Sequence, residues 1–169
     1  MGSFQTKFYH ACKSGSVKTL KELRMDFSNQ LSLNKPLYDD LTPLALTIKS
    51  RNVKAVQELL RYPNIDINKF MYTGETALTI AIATKNMEII RLLLENGANA
   101  HTPSHYSNEK SPLVAVMLNY TSDDNYAEIV GLLMRNGAYR DLNIEFLNLL
   151  KLMINNKNSA IYLLIESFV

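Results

Sequence analysis

A short signature recurs three times along the chain, as Thr42-Pro43-Leu44, Thr76-Ala77-Leu78 and Ser111-Pro112-Leu113, spaced by 34 and 35 residues. Self-similarity at such a period means an array of small stacked units, not one core wound from distant segments. The element after each signature repeats too: Val56–Leu60, Ile90–Leu94 and Val130–Met134 are the same apolar stretch. Two of these stretches end alike, in Asn96-Gly97-Ala98 and Asn136-Gly137-Ala138.

The unit Asn68 to Ala100 carries the clearest local signals. Thr76 precedes Ala77, Leu78, Ile80, Ala81 and Ile82, which predicts a tightly packed inner helix capped by the Thr hydroxyl. Lys85-Asn86 breaks it. Met87, Ile89, Ile90, Leu92, Leu93 and Leu94 then follow the spacing of a helix with one buried stripe. Asn96-Gly97 has the composition of a hairpin turn, but a helical pattern precedes it and no strand pattern follows. Gly97 is therefore expected to stop the helix in a left-handed conformation.

These motifs carry a family resemblance. Each unit resembles an ankyrin repeat: a β-turn finger, a T-P-L-H-x-A helix start, a short turn, and an outer helix ending in N-G-A. Asn68 to Thr76 matches the finger position for position, with Gly74 two residues before Thr76. The family's His is replaced by Ala45, Thr79 and Val114, which implies looser fingers. The resemblance implies an all-α ankyrin-repeat solenoid of about five helix-pair units with short β-turn fingers. The expected divisions of a single 1–169 domain are a cap repeat at 4–36, repeats at 37–67, 68–101 and 102–141, and a C-terminal cap helix pair at 142–169.

Irregularities mark individual units. Phe8 to Val17 reads as a divergent first inner helix and turn, with Leu20 and Leu23 on its outer helix. Tyr62-Pro63-Asn64-Ile65-Asp66 replaces a glycine stop with a proline one. An insertion around Asn119 to Tyr126 reads as a solvated loop or as an acidic, tyrosine-flanked contact. The last helix is more apolar than a terminal cap needs, with Ile161, Leu163, Leu164, Ile165, Phe168 and Val169. Either the natural protein continues past Val169 or this face packs on something else, self-association included; a monomer is otherwise expected.

Chemistry is sparse. His10, His101 and His105 have no metal-ligand spacing, so no metal or cofactor is expected. His10 reads as a packing or capping residue. Cys12, the single cysteine, occupies a small inner-helix position and is expected to be a buried, inert thiol. No phosphate loop, nucleophile elbow or zinc-protease motif is present. Asp39-Asp40 and Asp123-Asp124 are read as solvated loop residues. The chain is expected not to be an enzyme.

A net charge of +2, spread along the chain, argues against nucleic acid as partner. No apolar run approaches the length of a membrane span, and the single cysteine suits a reducing compartment; a cytoplasmic location is expected. Gly2-Ser3 opens a loose myristoylation pattern and reads equally as a vector-derived addition.

By position in the family, partners dock on the fingers and the exposed inner-helix side. The resemblance thus implies binding by Tyr38, Asp39, Asp40 and Leu41 on the first finger, and Met71, Tyr72, Thr73 and Glu75 on the second. His105, Tyr106, Asn108 and Lys110 follow on the third, with Lys49, Thr84 and Asn119 on the inner helices. Tyr38, Tyr72 and Tyr106 recur every 34 residues. Such a row suits a protein-binding groove, because Tyr offers large apolar area and a hydroxyl at low entropic cost; the alternative is that each Tyr packs on its own finger. The resemblance implies a non-enzymatic module that binds another protein, similar to effectors that intracellular bacteria or large DNA viruses place in host cells, where the partner is a host protein. The other reading is an ankyrin targeting region of a longer enzyme or adaptor.

Overall fold

Local capping chemistry sets the element boundaries in a computed structural model that describes residues 3–36, 40–101, 111–119 and 124–141. Their regular structure is helical: α1 (Ser3–Ser14), α2 (Val17–Phe27), α3 (Pro43–Lys49), α4 (Val53–Leu60), α5 (Ala77–Ala83), α6 (Met87–Glu95), α7 (Pro112–Asn119) and α8 (Asp124–Arg135). Short 3-10 turns follow α2 and α8. The chain divides into two compact units, Met1–Ala98 and Asn99–Val169.

In the first unit three helix pairs stack. The inner helices α1, α3 and α5 pack side by side, the outer helices α2, α4 and α6 do the same, and each inner helix packs on its own outer partner. Every residue pair of the signature works at an inner-helix start. Thr42 Oγ1 accepts from Ala45 N at 3.2 Å, and Pro43 sits at the first helical position, where its missing N–H costs nothing. Thr76 and Thr79 cap reciprocally: Thr76 N donates to Thr79 Oγ1 at 2.9 Å, and Thr79 N to Thr76 Oγ1 at 3.4 Å. Thr79, in the family's His position, thus ties the helix start to the end of its finger.

Outer helices are capped by asparagine. Asn52 Oδ1 accepts from Ala55 N at 3.3 Å, and Asn86 Oδ1 from Ile89 N at 3.1 Å. The residue before each of these caps lies in the left-handed region, Arg51 at φ 59° and Lys85 at φ 56°, as does the equivalent Gly15 at φ 67°. Only Gly is free of the Cβ penalty there. At the far end of α6, Gly97 N donates to Leu94 O at 3.1 Å and Ala98 N to Leu93 O at 2.9 Å, a Schellman stop with Gly97 at φ 87°. The hairpin alternative for Asn96-Gly97 is excluded. After α4 the left-handed position falls to Asn64, at φ 63°, one residue past Pro63.

The first unit's core is the buried stripe of these helices, with Leu44, Ile48, Leu59, Leu78, Ile82, Ile89, Ile90 and Leu93 all fully enclosed. The first inner helix, read from Phe8 onward in the sequence, begins at Ser3. The Phe4 ring stacks on Phe27 at 4.0 Å, joining the first turn of α1 to the end of α2. Leu20 and Leu23 are buried as expected. The connection from α2 to α3 is held by Tyr9, whose hydroxyl donates to Lys35 O, and by buried Leu31 and Leu33.

Polar rungs join successive repeats. Asn34 Nδ2 donates to Asn64 O at 2.8 Å while its Oδ1 accepts from Asp66 N at 2.8 Å. One repeat later, Asn68 Nδ2 donates to Gly97 O at 3.1 Å.

In the second unit α7 packs on α8, burying Leu113, Val116, Ile129, Val130, Leu133 and Met134. Ser111 Oγ accepts from Val114 N at 3.2 Å, the same cap as Thr42. Asp124, expected on a loop, instead opens α8. The rest of the insertion (120–123), most of the third finger (102–110) and the C-terminal helix pair (142–169) lie outside the described residues.

Candidate functional site

The second finger is built from its backbone outward. Met71 N donates to Glu75 O at 3.0 Å and Gly74 N to Met71 O at 2.9 Å, closing a tight turn with Gly74 at φ 81°. That turn sends successive side chains to opposite fates. Met71 is 5% exposed and packs inward, whereas Tyr72 is 94% exposed. Thr73 is also exposed, and its Oγ1 donates to Glu75 Oε2 at 3.1 Å.

The first finger meets the second through Asp40. Its Oδ2 accepts from Thr73 N at 3.2 Å, and its Oδ1 is buried without a hydrogen-bond partner among the described residues. Asp40 holds a left-handed φ of 57°, which Asp tolerates better than most side chains. It braces one finger against the next, so it is not simply a solvated loop carboxylate.

Of the expected contact residues, the structure brings Asp40, Thr73 and Glu75 together beside the exposed Tyr72. Two are corrected. Leu41, 8% exposed, and Met71, 5% exposed, are buried core residues, and in the second finger the turn closed by Met71, Gly74 and Glu75 leaves Met71 covered while Tyr72 faces solvent. Lys49 is exposed at the end of α3. Thr84 is half-buried beyond α5, its Oγ1 donating to Ala81 O at 2.8 Å. Tyr38, Asp39, His105, Tyr106, Asn108 and Lys110 lie outside the described residues, as does the side chain of Asn119. Tyr72 settles one alternative for itself: a ring this exposed does not pack on its own finger.

The remaining reactive groups are disposed structurally. Cys12 is fully buried between helices, and burial pushes its thiol up to about 12, against the opposing effect of hydrogen bonding with Thr47. His10, expected to pack or cap, is exposed on α1. Among the described residues no three His, Cys, Asp or Glu side chains are grouped to hold a metal ion. Among the same residues, no helix is long and apolar enough to cross a membrane.

Sequence reasoning passed over Lys13 and Arg51, both exposed in the same turn as Lys49 or its counterpart in α1. The signal that finds them is register. Counted from the left-handed residue of each turn, Lys13 and Lys49 hold one position, and Gly15, Arg51 and Lys85 the next-but-one.

No curated protein matches the chain. A family model described as ankyrin repeats (3 copies) matches residues 8–104, more than half of the 169 residues, and spans the stacked helix pairs and both described fingers. Ankyrin repeats are protein-interaction modules and not catalytic ones. The chain belongs to the ankyrin repeat family.

Proposed function

We propose that the chain binds another protein through its fingers and the exposed side of its inner helices. The observation that carries this reading is Tyr72: a large ring held out in solvent, 94% exposed, on a finger whose backbone is tied both to itself and to the preceding repeat. Exposing an aromatic on a braced support costs little entropy when a partner covers it, which is how interface anchors work. Asp40, Thr73 and Glu75 surround it with hydrogen-bonding groups, and Lys49 and Thr84 stand on the inner helices. Tyr38, Asp39, His105, Tyr106, Asn108, Lys110 and Asn119 belong to the same proposed surface by their place in the repeat.

In the finer form of the proposal the chain acts in a cytoplasm as an effector, and its partner is a protein of a eukaryotic host. The support is the resemblance of its divergent, Lys- and Asn-rich repeats to such effectors. Affinity capture from eukaryotic lysate, comparing wild type with Tyr72→Ala and Glu75→Lys, tests both levels. A partner retained by wild type and weakened about tenfold or more by Tyr72→Ala is expected of an anchor residue. Equal capture by all three proteins would sink the proposal.

A further inference from the structure

The inner layer of the first unit carries charge of only one sign. Residues 3–15, 43–51 and 77–85, the three inner helices with their following turns, hold five Lys and Arg and no Asp or Glu, although the whole chain is near neutral. The acidic residues of this unit lie elsewhere: Glu22 and Asp26 on α2, Glu58 on α4, Asp66 in the connection after α4, Glu88 and Glu95 on α6, and Asp40 and Glu75 on the fingers, with Asp39 outside the described residues. Within the layer the exposed cations collect at one end. Lys13 on α1, Lys49 on α3 and Arg51 in its turn are all exposed, and none makes an ion pair among the described residues. This contrasts with Arg24, Arg61 and Lys7, each of which faces a carboxylate.

From this row we infer that the partner presents an acidic, extended peptide segment, and that Lys13, Lys49 and Arg51 receive its carboxylates. The inference rests on the reading that the partner is a protein docking on the inner-helix side. The geometry fits an extended chain laid across the helices. Axes of packed helices stand about 8–10 Å apart, and an extended peptide advances about 3.3 Å per residue, so two carboxylates about three residues apart meet Lys13 at the end of α1 and the Lys49–Arg51 pair at the end of α3. The inner helices and their turns carry no carboxylate, the nearest acidic groups of the proposed surface being Asp40 and Glu75 on the fingers, so the helix-end cations favour an acidic partner segment and disfavour a basic one. Lys13 and Lys49 stand in the last turns of their helices and form no ion pair among the described residues, so binding there breaks none.

A synthetic peptide of about a dozen residues with Glu at every third position is the probe; its binding is measured by fluorescence anisotropy at low and physiological salt. The full chain is compared with two variants. In the first, Lys49→Gln with Arg51→Gly removes two charges and relieves the positive φ of Arg51, so folding is preserved. In the second, Lys18→Gln with Lys54→Gln removes two exposed charges from the outer helices as a control. The inference expects affinity to fall about tenfold in the first variant, to stay within about twofold in the second, and to weaken with salt. Absence of binding at low salt, or equal loss in both variants, overturns it. So does tighter binding of a single-stranded oligonucleotide of equal charge, which would make the surface a phosphate reader. A failed peptide with Tyr72-dependent partner capture intact overturns the acidic segment alone and leaves the protein-binding reading in place.

Discussion

Arg24 on α2 donates from Nε to Oε1 of Glu58 on α4 at 2.7 Å, across 34 residues of sequence and therefore between equivalent faces of successive repeats. Glu58 is only 3% exposed. Its second oxygen accepts from Arg61 at 3.1 Å, within its own repeat. Burial raises the carboxyl pKa, but the two guanidinium groups, Arg24 foremost, outweigh it and hold the group below the usual carboxylate range. Removing one member of such a buried, doubly bonded pair leaves the other uncompensated.

Glu58→Gln should therefore cost about 1–2 kcal/mol at pH 7, a figure held down because Arg24 is partly exposed. The sign of the pH dependence follows from linkage. Because the folded-state pKa is depressed, the contribution is complete above the unfolded value of about 4.3 and disappears as pH falls through the folded pKa. Urea denaturation of wild type and variant at pH 7 and in steps below pH 5 checks this. The stability gap should narrow steadily with acid, and a constant gap would deny the charge its role.

Gly15 and Arg51 hold the same left-handed turn position, yet substitution should move them in opposite directions. A Cβ on Gly15 would meet Ser50 Oγ at 2.7 Å and Asn52 Cβ at 3.0 Å, besides the φ penalty, so Gly15→Ala should destabilise by about 1–3 kcal/mol. Arg51 already bears that penalty at φ 59°, so Arg51→Gly should stabilise by about 0.5–1 kcal/mol. Denaturation midpoints decide both.

Asn52 does two jobs where, among the described residues, Asn86 only caps α6. Beyond capping α4, Asn52 Nδ2 donates to Gly15 O at 3.0 Å and so ties the second repeat to the cap repeat. Asn52→Ala should cost about 1–2.5 kcal/mol and Asn86→Ala about 1 kcal/mol. Asn52→Ser, which keeps a cap but not the reach to Gly15, should fall between wild type and Asn52→Ala in thermal melts.

Cys12 should be silent in the folded protein. With its thiol pushed to about 12, the thiolate fraction at pH 8 is on the order of 10⁻⁴, and no solvent reaches the sulfur. An aromatic disulfide reagent should therefore react at the rate of unfolding, complete in urea and slow in buffer. Rapid native-state labelling would place Cys12 elsewhere than between α1 and its neighbours.

Much of this fold is written locally, which is why it can be read from the chain. Thr42, Thr76 and Ser111 cap the helices that follow them, and Gly97 stops α6, through bonds spanning a few residues. The repeat period says that these pieces stack. Other elements escape such reading. The stacking of Phe4 on Phe27 joins residues 23 apart in the chain, and the extra left-handed turns at Arg51, Asn64 and Lys85 carry no glycine to announce them.

The candidate surface divides along the same line. The chain alone places Met71, Tyr72 and Leu41 on fingers, but alternation within a tight turn says nothing about which face the helices will cover. Stacking decides that Met71 and Leu41 are core and Tyr72 is solvent-facing. It also decides which residues one repeat apart become neighbours, as with Arg24 and Glu58 or Asp40 and Thr73. A helix cap needs only its own next turn, so sequence determines the units. Burial and charge pairing need a second unit laid against the first, and only the tertiary structure supplies it.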